Sequence, residues 1–468
     1  MAGLLFPAAT GSLKSRPSVA GVYAAGFVAM VSLALLRQSG LPATSTIWAE
    51  DGRIFYAQAL RMSFWETLVT PHDGYGQAFP RAVVQVARLA SPGDAAEILA
   101  VGGAFSLAAV ACLIFHMARG HVGSPALRGL LVAAMVLLPV ATGELLDNVV
   151  NVPWWLFFAS FWALLWRPQS ASGRASAGLV CFLAAASEPL VGLFLPLSVA
   201  RALALRNARD QAPTAGIIAG LLYQVLVTVR SSGKIVSSAG SVQGLAQSFS
   251  VRVGLGLAGG EKGTDWLFMH SRPVAVGLGA VGLCSLLAVG VFFSGSLQVR
   301  VFTLVTASFC VGCYVVPVWL RGLGPTMQVA RVEVASRYQA VPVLLLVSTI
   351  LVIADHWAKS RTATAPKHGS PAGGTSHALH SSRNWRSVTA VLVCACLLGP
   401  TWAVDFRDSN QRSAGPAWGT QVARATAQCR RAPSATVSLA IDPPGWDVSL
   451  TCGDLLSGRA PWTAKRAR

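Results

Sequence analysis

The sequence predicts an all-α polytopic membrane protein with eleven transmembrane helices, a long first outer loop and a small outer C-terminal hairpin tail. Three observations predict it. Of 468 residues, 53% are apolar and only 12% are charged, where a soluble domain carries ~25% charged residues. The mean hydropathy is +0.55. Apolar runs close to the ~20 residues that span a ~30 Å hydrocarbon core recur along the chain. These features exclude a disordered chain and argue against a soluble enzyme. The excess of 37 Lys/Arg over 19 Asp/Glu would suggest nucleic acid in a soluble protein. Here apolar runs separate the charges, so the basic excess reflects membrane topology and no nucleic-acid partner is expected.

The clearest spans are 19–37, 96–118, 213–229, 273–294, 299–320, 338–358 and 387–404. Residues 127–166 are apolar on both sides of the polar stretch 143–151 and read as two spans with a short loop. Residues 175–205 are interrupted by Ser187-Glu188-Pro189. A charge followed by proline breaks a helix, which gives two short helices, 175–187 and 190–205. The segments 1–18, 119–128, 167–174, 201–210, 295–300 and 359–386 are rich in Lys and Arg, and Asp210 is their one acid, with Asp355 near the end of a span. That is the positive-inside pattern, so these segments are expected in the cytoplasm and the tail, 405–468, outside a plasma membrane. Residues 1–18 are too polar for a signal peptide and lack its cleavage pattern, so the first span is expected to be retained. The expected organisation is thus a cytoplasmic segment 1–18, a membrane domain 19–358, a flexible inner linker 359–386, a last span 387–404 and the outer tail. The linker's His368, His377 and His380 read as scattered polar residues, with metal binding the weaker reading.

Seven cysteines fall in spans, among them Cys310 and Cys313, whose spacing lacks the second pair a metal site needs. Cys429 and Cys452 lie in the outer tail. Between them ATVSLAI (435–441) and DVSLTC (447–452) flank Asp-Pro-Pro-Gly-Trp, a turn sequence. A hairpin stapled by a Cys429–Cys452 disulfide is expected.

Acids near a membrane are costly and therefore informative. In the first outer loop, 38–95, Glu50 and Asp51 precede an amphipathic helix, 51–62, with Ile54, Phe55, Ala59 and Met62 at helical spacing. The pair is a candidate for proton or metal chemistry; an N-terminal charge preference is the plainer alternative. Asp73 sits in His72-Asp73-Gly74-Tyr75-Gly76, either a plain loop or a ligand cluster. Arg81 follows Pro80 and would face either headgroups or a phosphate. Glu144, Asp147, Asn148 and Asn151 would share one face of a helix beside Trp154 and Trp155. Glu188 is the most membrane-embedded acid, as site residue or as N-cap. Arg337-Tyr338 opens a span from outside, where an arginine either snorkels or takes a phosphate bidentately. The outer loop 230–272 is charged around an apolar stretch, 251–258, and reads as a re-entrant or surface helix over the site.

An acid pair in the first outer loop of a polytopic chain resembles the GT-C superfamily of membrane glycosyltransferases. The stretches GELLDNVVNVPWW (143–155), SEPLVGLFLPL (187–197) and SRYQAVPVLLL (336–346) resemble a bacterial group of GT-C-like membrane proteins, and the resemblance covers about 20–358. It implies transfer of a sugar from a polyprenyl-phosphate carrier to a glycan, lipid or protein acceptor of the cell envelope. It places the catalytic base on Asp51, with Glu50 second, and either acid becomes a ligand if a divalent metal ion is used. Asp73, Arg81, Glu144, Asn148, Asn151, Trp154, Glu188, Arg337 and Tyr338 are the expected donor-binding residues. Two competing readings are a transporter or flippase of a lipid-linked glycan and a polysaccharide polymerase or ligase. No nucleotide-binding domain is seen, which argues against a nucleotide-sugar donor.

Overall fold

The computed structural model describes residues 2–7, 17–141, 144–229, 241–320, 335–360, 376–407 and 409–456. Among them, seven helices are long and apolar enough to cross a membrane: Ala20–Arg37, Pro92–Gly120, Ala208–Thr228, Arg272–Phe293, Leu297–Leu320, Arg337–Lys359 and Trp385–Val404. They coincide with the seven runs that hydropathy marked most clearly. Pro125–Leu137, Val152–Leu165 and Pro189–Ala204 are shorter apolar helices, and Ala171–Ser187 has 17 residues. At ~1.5 Å per residue, the 14 residues of Val152–Leu165 reach about 21 Å, well short of a ~30 Å core. Every one of those 14 residues is buried, because longer helices surround them. Ala171–Ser187 crosses Ala212–Thr228 through small residues. A Cβ at Gly216 would collide with the Gly178 carbonyl, and one at Gly220 would lie 2.7 Å from that of Phe182. Close backbone approach of this kind is how membrane helices gain packing energy.

Two local expectations need correction. Residues 144–151 form an irregular turn, with Asp147 at φ 56°, and not a helix with a polar face. The side chains that would have lined that face knit the turn instead: Asn148 Nδ2 donates to the carbonyls of Glu144 (2.6 Å) and Leu146 (2.8 Å), and Asn151 Nδ2 donates to Glu144 O at 2.7 Å. The last long helix runs Ser376–Val404 and so begins inside the stretch expected as linker. The rest of that linker, 361–375 with His368, lies outside the described residues, as do Arg230 and Lys234. The 241–271 part of the outer loop is helical, kinked at Gly260 (φ 64°), where Glu261 N donates to Asp405 Oδ2 at 2.9 Å.

The tail is not a separate appendage. Its strands β1 (Thr436–Ile441) and β2 (Trp446–Thr451) pair antiparallel, Thr436 opposite Thr451 and Ile441 opposite Trp446. Alternation buries Val437, Leu439 and Ile441 on one face. A two-stranded ribbon cannot cover that face alone. The loop 38–95 covers it: Ile47, Trp48, Phe55, Tyr56 and Leu60 share one core with the hairpin, Trp418 and Cys429. Asp442 N donates to Ile47 O at 3.0 Å, and Trp418 Nε1 donates to Pro92 O at 2.7 Å. Loop 38–95 and the tail therefore form one domain at one end of the bundle. The other end gathers the basic connections. There His121 Nε2 meets Leu5 O at 3.2 Å, Asp355 accepts from Gly123 N and Ser124 N, and Arg167 pairs with Asp210 at 3.4 Å.

Cys429 and Cys452 are disulfide-bonded. In unfolded, non-reduced protein a thiol probe should label the seven free cysteines, and all nine only after reduction. Replacing both bridged cysteines by serine should cost the outer domain about 3 kcal/mol, measurable as a lower melting temperature.

Candidate functional site

A polar cavity opens where the domain formed by loop 38–95 and the tail meets the ends of the short helices. Glu50, His72, Asp73, Tyr75, Gln77, Asn151, Trp154, Glu188, Arg337 and Tyr338 line it, with Val150 and Pro153. At about 30 Å³ it is closed down to the size of a few waters, so a sugar would have to displace side chains to enter.

Each wall has a local cause. Glu50 ends the approach to the helical turn Asp51–Tyr56, and its Oε1 lies 3.9 Å from Arg337 Nη1. Arg337 opens the helix Arg337–Lys359, and its Nε lies 3.7 Å from Glu144 Oε2. One guanidinium is thus shared by two carboxylates. Glu144 is steadied in turn by Ala335 N, which donates to its Oε1 at 3.1 Å. Trp154 begins the buried Val152–Leu165 helix and meets the Tyr338 ring edge-on, centroids 5.2 Å apart. Glu188 sits at the helix break, where its carboxylate caps Leu190 N at 3.2 Å; it serves as N-cap and as cavity wall together. His72 and Tyr75 exchange backbone bonds across a two-residue turn, with Asp73 (φ 50°) and Gly74 (φ 88°) both left-handed as such a turn requires.

Four expected residues do not line the cavity: Glu144, which stands behind Arg337, and three that lie elsewhere. Asp51, 1% exposed, turns away from the cavity, and its two oxygens accept from Val149 N and Val150 N, both at 2.7 Å. It clamps the 144–151 turn to loop 38–95. Asn148 is consumed within that turn. Arg81 is buried, donates to Gln58 Oε1 at 2.7 Å and stacks on Phe55, and burial lowers its pKa to about 10. Gln77 is a lining residue that sequence reasoning missed; a lone amide before a helix carries no pattern. Its Oε1 is buried and accepts no hydrogen bond among the described residues.

A second buried group ties the tail to the same turn. Arg412 donates to Leu146 O (3.1 Å), Asp147 O (3.0 Å), Ala43 O (3.2 Å) and Thr46 Oγ1 (3.2 Å). Around it burial lifts the carboxyl pKa values of Asp147 and Asp442 to about 6, and that of Asp51 to about 7, despite the arginine. A carboxyl of the unfolded chain titrates near ~3.9. Between that value and 6–7 the folded protein holds more protons, so stability falls as pH rises. The domain of loop 38–95 and the tail should therefore melt at a lower temperature at pH 7.5 than at pH 5, and Asp442→Asn should flatten the slope.

Among the described residues, no group of three or more His, Cys, Asp or Glu is arranged to hold a metal ion. No family model matches the chain, and no curated protein or solved structure resembles it significantly.

Proposed function

We propose that the protein is an integral-membrane glycosyltransferase that moves a sugar from a polyprenyl-phosphate carrier to a glycan, lipid or protein acceptor of the cell envelope. The observation that carries this reading is the convergence of Glu50, Arg337, Glu188, Gln77 and the Trp154–Tyr338 ring pair on one cavity beside an apolar groove. The groove, about 400 Å³, is lined by Phe27, Phe79, Phe105, Leu156, Leu179 and Leu183 among others. The two share no lining residue, but Phe79 of the groove is linked to the cavity wall: its N donates to the hydroxyl of Ser187, next to Glu188, at 2.9 Å. A polar chamber near a greasy groove suits a ligand with a phosphate head and a long isoprenoid chain.

The topology proposed with it counts the seven long and four short helices as eleven crossings. The basic loops then face the cytoplasm of a multi-pass plasma-membrane protein, and the cavity faces outward.

In this reading Glu50 is the general base. Its carboxylate takes the proton of the acceptor hydroxyl as that oxygen attacks the anomeric carbon. The bond from that carbon to the carrier phosphate breaks, and the phosphate leaves with the electron pair. Arg337 neutralises the charge that develops there. The sugar rests on Trp154 and Tyr338, and Gln77 Oε1 accepts from one of its hydroxyls. No step is routed through a metal ion. The test is a transfer assay with purified protein and a panel of polyprenyl-phosphate sugars, read by loss of the charged lipid. If no donor in the panel is consumed and the protein instead moves a lipid-linked glycan across vesicles, the transporter reading replaces this one.

A further inference from the structure

At the opposite, basic end lies a second groove, about 590 Å³, between the helices Ala171–Ser187 and Ala212–Thr228. It shares no residue with the polar cavity, and Leu179 alone with the apolar groove described above. Both helices begin at its mouth: Ser170 Oγ caps Gly173 N at the start of one, and the other continues the turn Ala208–Gln211, where Asn207 Oδ1 caps Arg209 N, so two positive dipole ends face the same space. Arg174 and Arg209 line that mouth. Arg174 donates to the Gln169 carbonyl at 3.2 Å and keeps its other donors for a ligand. Arg209 is exposed, and its guanidinium has no partner among the described residues. The nearby acid, Asp210, is already paired with Arg167. Gln211 also lines the mouth; its Oε1 is buried and accepts no hydrogen bond among the described residues. Beyond the mouth the groove turns apolar, along Leu179, Phe182, Ala215 and Ala219. Ala215 and Ala219 are small and face outward from the pair of crossed helices, leaving a channel along them.

We propose that this groove holds one anionic glycerophospholipid of the adjoining leaflet. Its phosphate sits between the two helix N-termini on Arg174 and Arg209. A headgroup hydroxyl donates to Gln211 Oε1, and one acyl chain lies along Phe182, Ala215 and Ala219. Positive charge, an orphan acceptor and an apolar channel in that order match a phosphodiester lipid such as phosphatidylglycerol. A zwitterionic lipid brings a compensating cation to the arginines and is discriminated against.

Native mass spectrometry of the full chain in detergent, titrated with phosphatidylglycerol or phosphatidylcholine, tests this. One phosphatidylglycerol should be retained in preference to phosphatidylcholine. The double variant Arg174→Gln, Arg209→Gln should bind it about tenfold more weakly, two charge-assisted contacts being lost. Ala215→Phe, which fills the channel, should also weaken it. Arg300→Gln, at the same end but outside the groove, should not. If the double variant melts at a lower temperature, the single Arg209→Gln, which removes no contact within the described residues, decides the matter. Equal retention of the two lipids, or undiminished binding by the arginine variants, overturns the proposal. Competition by soluble glycerol 3-phosphate as effective as that by the lipid also overturns it, because the channel would then contribute nothing.

Discussion

Glu50→Gln should lower sugar transfer by about 10²–10⁴-fold, the usual contribution of a general base. Glutamine keeps the length of the side chain and removes its ability to take a proton. Arg337 keeps its second partner, Glu144 Oε2 at 3.7 Å, so the guanidinium stays in place and donor binding should persist. The loss should appear in kcat more than in KM. Asp51→Asn makes the contrast. An amide offers one carbonyl oxygen where the carboxylate offers two, so Val149 N or Val150 N meets an NH₂ group instead of an acceptor. An unsatisfied buried group costs about 1–3 kcal/mol. Asp51→Asn should therefore lower the melting temperature most above about pH 7, where Asp51 is a carboxylate, and leave the folded fraction active. Donor consumption and melting curves on both variants, at matched expression, separate the roles. An active Glu50→Gln beside an inactive, normally stable Asp51→Asn would return the base to Asp51 and overturn the cavity assignment. Activity lost only in Glu188→Gln would move it to the helix break.

Arg412→Ala should undock the tail from the membrane domain. The guanidinium is 3% exposed and reaches carbonyls on two separate outer segments, 43–46 and 146–147. It is also the basic group whose field holds down the buried carboxyls of Asp147 and Asp442. Breaking a buried charged network by removing one partner costs about 3–5 kcal/mol. Amide exchange should accelerate through 409–456 and through the 144–151 turn, with the long helices unchanged. Because that turn carries Asn151 into the cavity wall, transfer activity should fall with it. Exchange confined to the tail, with the turn still protected, would show that Asp51 alone suffices to hold the turn.

Hydropathy located the seven long helices because a bilayer imposes one length and one composition on a spanning helix, and both are written locally. The break at Glu188-Pro189 was legible for a similar reason, since proline removes a donor and restricts its neighbour wherever it stands. The disulfide was legible too. Cys429 and Cys452 are the two cysteines outside the spans, and a turn sequence lies between them.

Of the candidate cavity, Glu50, Asp73, Asn151, Trp154, Glu188, Arg337 and Tyr338 were named from sequence, as residues and not as a geometry. Glu50 and Asp51 are adjacent in the chain and chemically alike, and sequence could not choose between them. Asp51 faces the 144–151 turn and Glu50 faces Arg337, nearly three hundred residues away, because successive side chains on one helical turn point about 100° apart. The even spacing of Glu144, Asp147, Asn148 and Asn151 suggested a helix, but asparagine side chains that bond nearby carbonyls compete with helix formation, and here they won. The union of the first outer loop with the tail was invisible for a further reason. β1 shows an apolar face that must be covered, but alternation names only the face and never its cover. Sequence by itself marked the seven helices long and apolar enough to cross a membrane and which residues are chemically capable. Only the tertiary structure decided which of them meet, because that depends on contacts between segments far apart in the chain, and those leave no local pattern.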